Sequence, residues 1–222
     1  MQIQAPLDNG SLYTETNLQH LFPEPFNAIT SLFFLVIAIW WTQKIRRSWK
    51  QFPFLSYALV LLYIGGIGGS IYHGFRIWRV FLIMDWLPIM LLCLSAGIWF
   101  IARLTKWYYA LLLVIGYFIF QYLLRQWAAG SGDFQLFINL NYAILASLVL
   151  FPVLAFLIST RFRHAKWVGF ALAAFAFALF FRISDQWDLL SVGTHFLWHT
   201  FGAIAAFCML QYVYYVERGA VE

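Results

Sequence analysis

The chain has 222 residues, of which 63% are hydrophobic and only 10% are charged, and its net charge is +5. Soluble globular domains carry about 25% charged residues, so this composition excludes a water-soluble protein and predicts an integral membrane protein. The basic residues lie in short clusters between apolar stretches, which is typical of membrane-topology signals, so we expect no nucleic acid as a partner.

Residues 1–26 precede the first apolar stretch and contain no Lys or Arg. A cleaved signal peptide has a basic start followed by an apolar stretch, so we expect these residues to form an extracytoplasmic N-terminal segment instead. The oxygen donors of this segment are Asp8, Asn9, Glu15, Asn17 and Glu24. Calcium binds six to eight oxygens, so a calcium loop is one interpretation of the segment. An acidic solvated tail, which the spacing favours, is the other.

Seven stretches are long and apolar enough for a membrane-spanning helix, which needs about 20 mostly apolar residues. They cover approximately residues 27–43, 54–73, 81–102, 107–124, 135–158, 166–183 and 194–215. The predicted fold is therefore all-α, with a bundle of seven transmembrane helices over residues 27–215 and a short tail over residues 216–222.

The basic residues predict how these helices are oriented. Seven crossings place the loops after helices 1, 3 and 5 on the same side as the C-terminal tail, and ten of the fourteen Lys and Arg residues lie on that side. By the positive-inside rule that side is the cytosol, so the N-terminus is expected in the periplasm or a lumen. Five polar residues then fall together at the outer side, and we expect them to share a site: Glu24, His73, Asp85, His195 and His199.

The segment THFLWH places His195 and His199 four residues apart, so a helix presents both imidazoles on one face. This pattern on an apolar helix is more often structural than metal-binding, but ionisable residues inside a membrane are costly and generally functional. His73 is the natural third ligand. It closes the stretch GGIGGSIYHG, whose glycines allow a neighbouring helix to approach closely. Three histidines with one open position are typical of a catalytic zinc site.

The soluble zinc-protease motif has a glutamate after its first histidine, whereas Phe196 stands there in this chain, so a base must come from elsewhere. Asp85 in IMDWLPIM is the candidate, because it has no Lys or Arg one turn away on its own helix. It would accept the proton of zinc-bound water, or alternatively pair with an arginine of another helix. The Ser70 hydroxyl either stabilises a developing oxyanion or bonds the backbone carbonyl one turn back.

The segments EPFNAITS, GSIYHG, MDWLPI and GTHFLWH agree in order, spacing and helix placement with one family. Together they resemble the alkaline ceramidases, and most closely the bacterial ceramidase-domain branch. The wider superfamily includes the adiponectin and progestin receptors, the hemolysin III proteins and the Per1-type proteins. The resemblance covers about residues 13–202. It implies a seven-helix zinc enzyme that cleaves the amide of ceramide into a sphingoid base and a fatty acid.

The resemblance also implies roles for individual residues. The family's three zinc ligands correspond to His73, His195 and His199, and its acidic residue near the zinc-bound water corresponds to Asp85. Ser70 is displaced by one from the family's serine, whose position holds Gly69 in this chain.

Eukaryotic members of the family build a calcium site from the N-terminal segment and the start of helix 1. The residues that match it here are Glu15, Asn17, Glu24 and the backbone carbonyl of Tyr13, while the leading aspartate is replaced by Leu12. The resemblance favours the bacterial inner membrane as the location, or the ER or Golgi membrane if the chain is eukaryotic.

The leading hypothesis is a zinc-dependent amidase that acts on a ceramide-like membrane lipid. One alternative is a seven-helix receptor or lipid-binding protein that keeps the zinc site without turnover, and another is a hydrolase of a different lipid amide or ester. A haem protein is disfavoured, because two histidines four residues apart on one helix cannot sandwich a haem. The sequence predicts no particular protein partner.

Overall fold

The structure is a computed structural model that describes residues 6–132 and 134–219. Within these residues it contains seven α-helices and no strand, which confirms the all-α prediction. The helices are α1 (Pro25–Ile45), α2 (Pro53–Phe75), α3 (Arg79–Leu104), α4 (Tyr109–Ser131), α5 (Phe134–Ser159), α6 (Ala165–Ile183) and α7 (His195–Arg218). Short 3-10 helices cover Trp49–Gln51 and Ser184–Trp187. All seven α-helices are long and apolar enough to cross a membrane, so the chain has the build of a multi-pass membrane protein.

The end of α4 differs most from its prediction. The apolar stretch stops before Arg125, but the helix continues to Ser131. It ends there because Gly132 adopts a left-handed conformation with φ +71° and its N–H donates to the carbonyl of Ala128. A glycine in this conformation is a common helix terminator, since it has no Cβ to clash. The helix end is therefore set by this cap and not by the last apolar residue.

Carboxylates from outside the helix cap the N-termini of three helices. Both oxygens of Glu15 accept from the first amides of α1, at 2.5 and 3.0 Å. The buried carboxylate of Glu217, at the end of α7, accepts from the first amides of α2 at 2.9 and 3.1 Å. Asp185 does the same for the start of α7, at 2.7 and 2.8 Å. The first amides of a helix have no partner within it and carry a partial positive charge. A carboxylate supplies both the missing hydrogen-bond acceptor and a favourable negative charge.

The helices form two compact units. The first contains the described residues up to Ile89 and those from His164 onward, and the second is Met90–Arg163. In the first unit α7 packs against α1 and α6, and α1 packs against α2. In the second unit α4 packs against α5, around a small core of Leu94, Tyr117 and Leu145.

Two glycines of α2 bring its neighbours close to the helix that carries His73. A Cβ at Gly66 would lie 2.8 Å from Cγ of Leu35 on α1. A Cβ at Gly68 would lie 2.7 Å from the carbonyl carbon of Met84 on α3. Real Cβ atoms do not approach other atoms so closely, so the packing of α1 and α3 against α2 requires glycine at these positions.

Candidate metal centre

Three histidines from two helices converge in the first unit. His73 lies in the last turn of α2, and His195 and His199 lie in the first two turns of α7. One ring nitrogen of each lies within 4.8 Å of the other two. Their residues are 0%, 3% and 5% exposed, so this group is shielded from solvent. The structure therefore brings together the three residues that the sequence analysis selected as zinc ligands.

The free nitrogens of this cluster satisfy the requirements for binding a metal ion. Among the described residues, no hydrogen-bond partner reaches Nε2 of His73, Nδ1 of His195 or Nε2 of His199, although all three atoms are buried. A buried polar atom without a partner costs free energy, so such atoms are rare unless something outside the protein satisfies them. Neutral imidazole nitrogens are common ligands of zinc and other transition metals. The cluster thus fits a divalent metal ion.

Glu24 fixes the orientation of one of the three rings. Its Oε2 lies 2.5 Å from Nδ1 of His73, and both side chains are fully buried. An ionised carboxylate only accepts hydrogen bonds, so Nδ1 donates and the lone pair of Nε2 points to the cluster. A carboxylate behind a ligating histidine is the usual arrangement in zinc sites, where it sets the tautomer and raises the basicity of the ligand. The sequence placed Glu24 with His73 at the outer side and also offered it as a calcium ligand, but this particular contact was not predicted.

The same carboxylate joins a buried ion-pair network. Its Oε1 accepts from Thr16 at 2.6 Å and from the guanidinium of Arg76. Nε of Arg76 in turn donates to Asp8 at 2.8 Å. Burial raises the pKa of Glu24, but the hydrogen bond from His73 and the charge of Arg76 hold it below its usual value. Glu24 is thus a carboxylate when it contacts His73.

The N-terminal segment covers one side of the cluster. The ring of Tyr13 stacks on that of His195, with centroids 3.8 Å apart and an interplanar angle of 23°. The next residue, Thr14, donates its amide to Oδ2 of Asp185 at 3.0 Å. Oδ1 of Asp185 accepts from the amide of His195 at 2.8 Å. Asp185 therefore holds both the start of α7 and the segment above it, a role that the sequence analysis did not predict.

Asp85 approaches α2 one turn before His73. A Cβ at Gly69 would lie only 2.6 Å from Oδ1 of Asp85, so the carboxylate rests against this glycine. The carboxylate thus lies against α2 one turn before a clustered ligand and is not itself one of the three.

Two serines lie close to these residues: Ser70 is one turn before His73, and Ser31 is near the carboxylate of Asp85. Ser70 donates its hydroxyl to the carbonyl of Gly66 at 2.7 Å, which is the backbone bond that the sequence analysis considered as the alternative to an oxyanion role. Ser31 on α1 is 1% exposed, and its Oγ would lie 3.1 Å from a Cβ at Gly69. Asp85 and Ser31 thus meet the same face of α2. Ser31 belongs to the segment EPFNAITS, but nothing in that pattern singled it out.

The residues that match a calcium site each have hydrogen-bond partners within the protein. Glu15 caps α1 with both oxygens. Burial raises its pKa, although the amides of Phe26 and Asn27 oppose this. The carbonyl of Tyr13 accepts from the amide of Thr16 at 3.0 Å, and Oδ1 of Asn17 accepts from that of Gln19 at 3.1 Å.

No family model matches the chain, and a comparison with curated proteins found no match. The function is therefore inferred from the site itself.

Proposed function

We propose that the protein is a zinc-dependent amidase that cleaves a ceramide-like lipid within the membrane. The observation that supports it most is the convergence of three buried imidazole nitrogens without partners, one of them backed by Glu24. A purely structural set of buried histidines would satisfy these nitrogens with hydrogen bonds. Three protein ligands are also the number found in catalytic zinc sites, whereas structural sites are closed by four.

The ligands of the metal would be His73, His195 and His199. Zinc bound there supplies a Lewis acid that activates water for attack and polarises the amide carbonyl. Glu24 keeps His73 in the tautomer whose Nε2 is free. Asp185 holds the amide at the start of α7, and thereby the backbone from which His195 projects.

Asp85 is the proton carrier of the proposed reaction. A carboxylate beside the cluster, with no place among its ligands, is suited to take a proton from the attacking water and to deliver it to the leaving amine. Ser70, as predicted from the sequence, and Ser31 are the candidate hydroxyls that donate to the developing oxyanion.

The substrate class follows from the surroundings of the site. The cluster is built at the ends of helices that are apolar enough to cross a membrane, which favours a substrate that resides in lipid. The resemblance of four segments to alkaline ceramidases supports an amide of the ceramide type. The predicted topology favours access from the outer leaflet.

The experiment combines metal analysis with product identification. The purified protein is incubated in lipid vesicles with ceramides, other lipid amides and lipid esters, and released fatty acid is quantified by mass spectrometry. We expect about one zinc ion per chain and fatty acid from the ceramides, lost with a zinc chelator and regained when zinc is restored. Zinc without turnover on any lipid would favour the receptor or lipid-binding alternative. Release from the other lipids alone would assign a different hydrolase activity.

A further inference from the structure

We propose that Arg76 performs in this chain the task that calcium performs in one interpretation of the N-terminal segment: it is the cation around which this segment folds onto the histidine cluster. The part of the N-terminal segment involved is residues 8–24. The proposal is independent of which lipid the protein cleaves, because it concerns how the segment is held.

The oxygens predicted to bind calcium already have donors from the protein. Both oxygens of Glu15 are used by the first amides of α1, and the carbonyl of Tyr13 is used by a turn. Oδ1 of Asn17 accepts from Gln19 in a local turn on the surface. Calcium needs six to eight oxygens directed at one point, and these side chains are directed at N–H groups instead.

Glu24 is the one member of this set that faces a cation, and the cation is Arg76. The guanidinium donates to Oε1 of Glu24, to both oxygens of Asp8 at 2.8 and 3.2 Å, and to the carbonyl of Ser11 at 2.9 Å. The side chains of all three ionic residues have no exposed surface. Arg76 thus collects carboxylate and carbonyl oxygens from separate parts of the segment, as a bound metal ion would.

The carboxylates of Asp8 and Glu24 are neutralised by one positive group, the guanidinium of Arg76. Burial lowers the pKa of Arg76, but the bond to Asp8 and the charge of Glu24 raise it above its usual value, so the guanidinium remains charged. A divalent ion on Glu24, the one carboxylate that the calcium interpretation shares with Arg76, would meet like-charge repulsion from this guanidinium. The guanidinium and calcium are therefore competing ways of neutralising Glu24.

Arg76 also links the segment to the metal ligands. It caps α2 in a left-handed conformation, φ +55°, three residues after His73. Its side chain therefore leaves the helix end that carries this ligand and holds the segment whose Tyr13 stacks on His195. Arg76 is a positioning residue, since it acts on the cluster through Glu24 and through the placement of Tyr13.

The test follows hydrogen–deuterium exchange of the segment by mass spectrometry in the full-length, zinc-loaded protein. In the unmodified chain we expect protection that neither EGTA nor added calcium chloride changes, and no heat of calcium binding by titration calorimetry. Arg76→Met should raise exchange in the segment at least about tenfold, because charge-assisted hydrogen bonds are lost. Arg79→Met, an exposed arginine three residues later, is the matched control and should leave exchange unchanged.

Asp8→Asn provides a second variant in case Arg76→Met does not fold, because it weakens the same link from the segment side. It should raise exchange around residues 8–14. Loss of protection with EGTA, stoichiometric calcium binding, or unchanged exchange in both variants would overturn the proposal. Because neither exchange nor calcium binding requires turnover, an inactive protein that passes these tests would refute only the proposed hydrolase.

Discussion

Nδ1 of His73 and Oε2 of Glu24 lie 2.5 Å apart in the fully buried interior. This contact sets the tautomer of His73, because it uses one nitrogen of the ring and leaves the other for a metal ion. Glu24 immediately precedes α1 and His73 is near the end of α2, so the contact also joins two helices at the site. Its removal should lower the affinity for a metal ion.

Glu24→Gln should weaken zinc binding by about 10–100-fold, because the neutral amide does not raise the basicity of His73 as a carboxylate does. Competition with a chromogenic chelator measures the change. Glu15→Gln is the matched control, since both oxygens of Glu15 accept from the first amides of α1. Equal zinc affinity in the two variants would show that Glu24 does not tune the site.

Asp85→Asn should reduce turnover by about 10²–10⁴-fold, since the amide cannot accept and return a proton. Zinc content should remain that of the unmodified protein, because Asp85 is not among the three clustered ligands. The comparison requires lipid turnover and metal content from the same preparation. Full hydrolysis by this variant would remove Asp85 from the mechanism.

Ser31→Ala should reduce turnover more than Ser70→Ala. Both hydroxyls donate to the carbonyl four residues back on their own helix, but only Ser31 also lies against the same glycine as the Asp85 carboxylate. The kcat values of the two variants, at equal zinc content, decide between the serines. A larger loss in Ser70→Ala would return the oxyanion role to the residue that the sequence analysis selected.

The helices could be predicted because hydropathy over about 20 residues reports directly on membrane burial. Their ends could not, since these depend on caps. Gly132 ends α4 well past the apolar stretch, and Glu217 caps α2 from 163 residues away. Such caps depend on where the chain folds back, and hydropathy contains no information about that.

The histidine cluster could be predicted because its residues lie in helices with a regular pattern. A spacing of four places His195 and His199 on one helical face, and counting crossings puts His73 at the same side of the membrane. The contacts of Glu24 with His73 and of Asp8 with Arg76 span 49 and 68 residues. They involve an irregular segment with no periodic pattern, so only the structure reveals them.

Gly68→Ala should destabilise the first unit by about 1–3 kcal/mol, because the added Cβ would collide with the backbone of Met84. Gly116→Ala is the matched control: it also lies within a helix, but its Cβ would meet nothing within 4 Å. Alanine there should leave stability unchanged or slightly higher, because it is the better helix former. Thermal unfolding in detergent compares the two. Equal midpoints would mean that α3 does not press against α2 as described.

The zinc content of the purified chain tests the central claim most directly. Mass spectrometry of the metal should give about one zinc ion per chain, and far less in each of His73→Ala, His195→Ala and His199→Ala. His20→Ala, which changes an exposed histidine outside the cluster, should retain the full amount. Absence of zinc from an active, unmodified protein, or full zinc in all three cluster variants, would contradict the account.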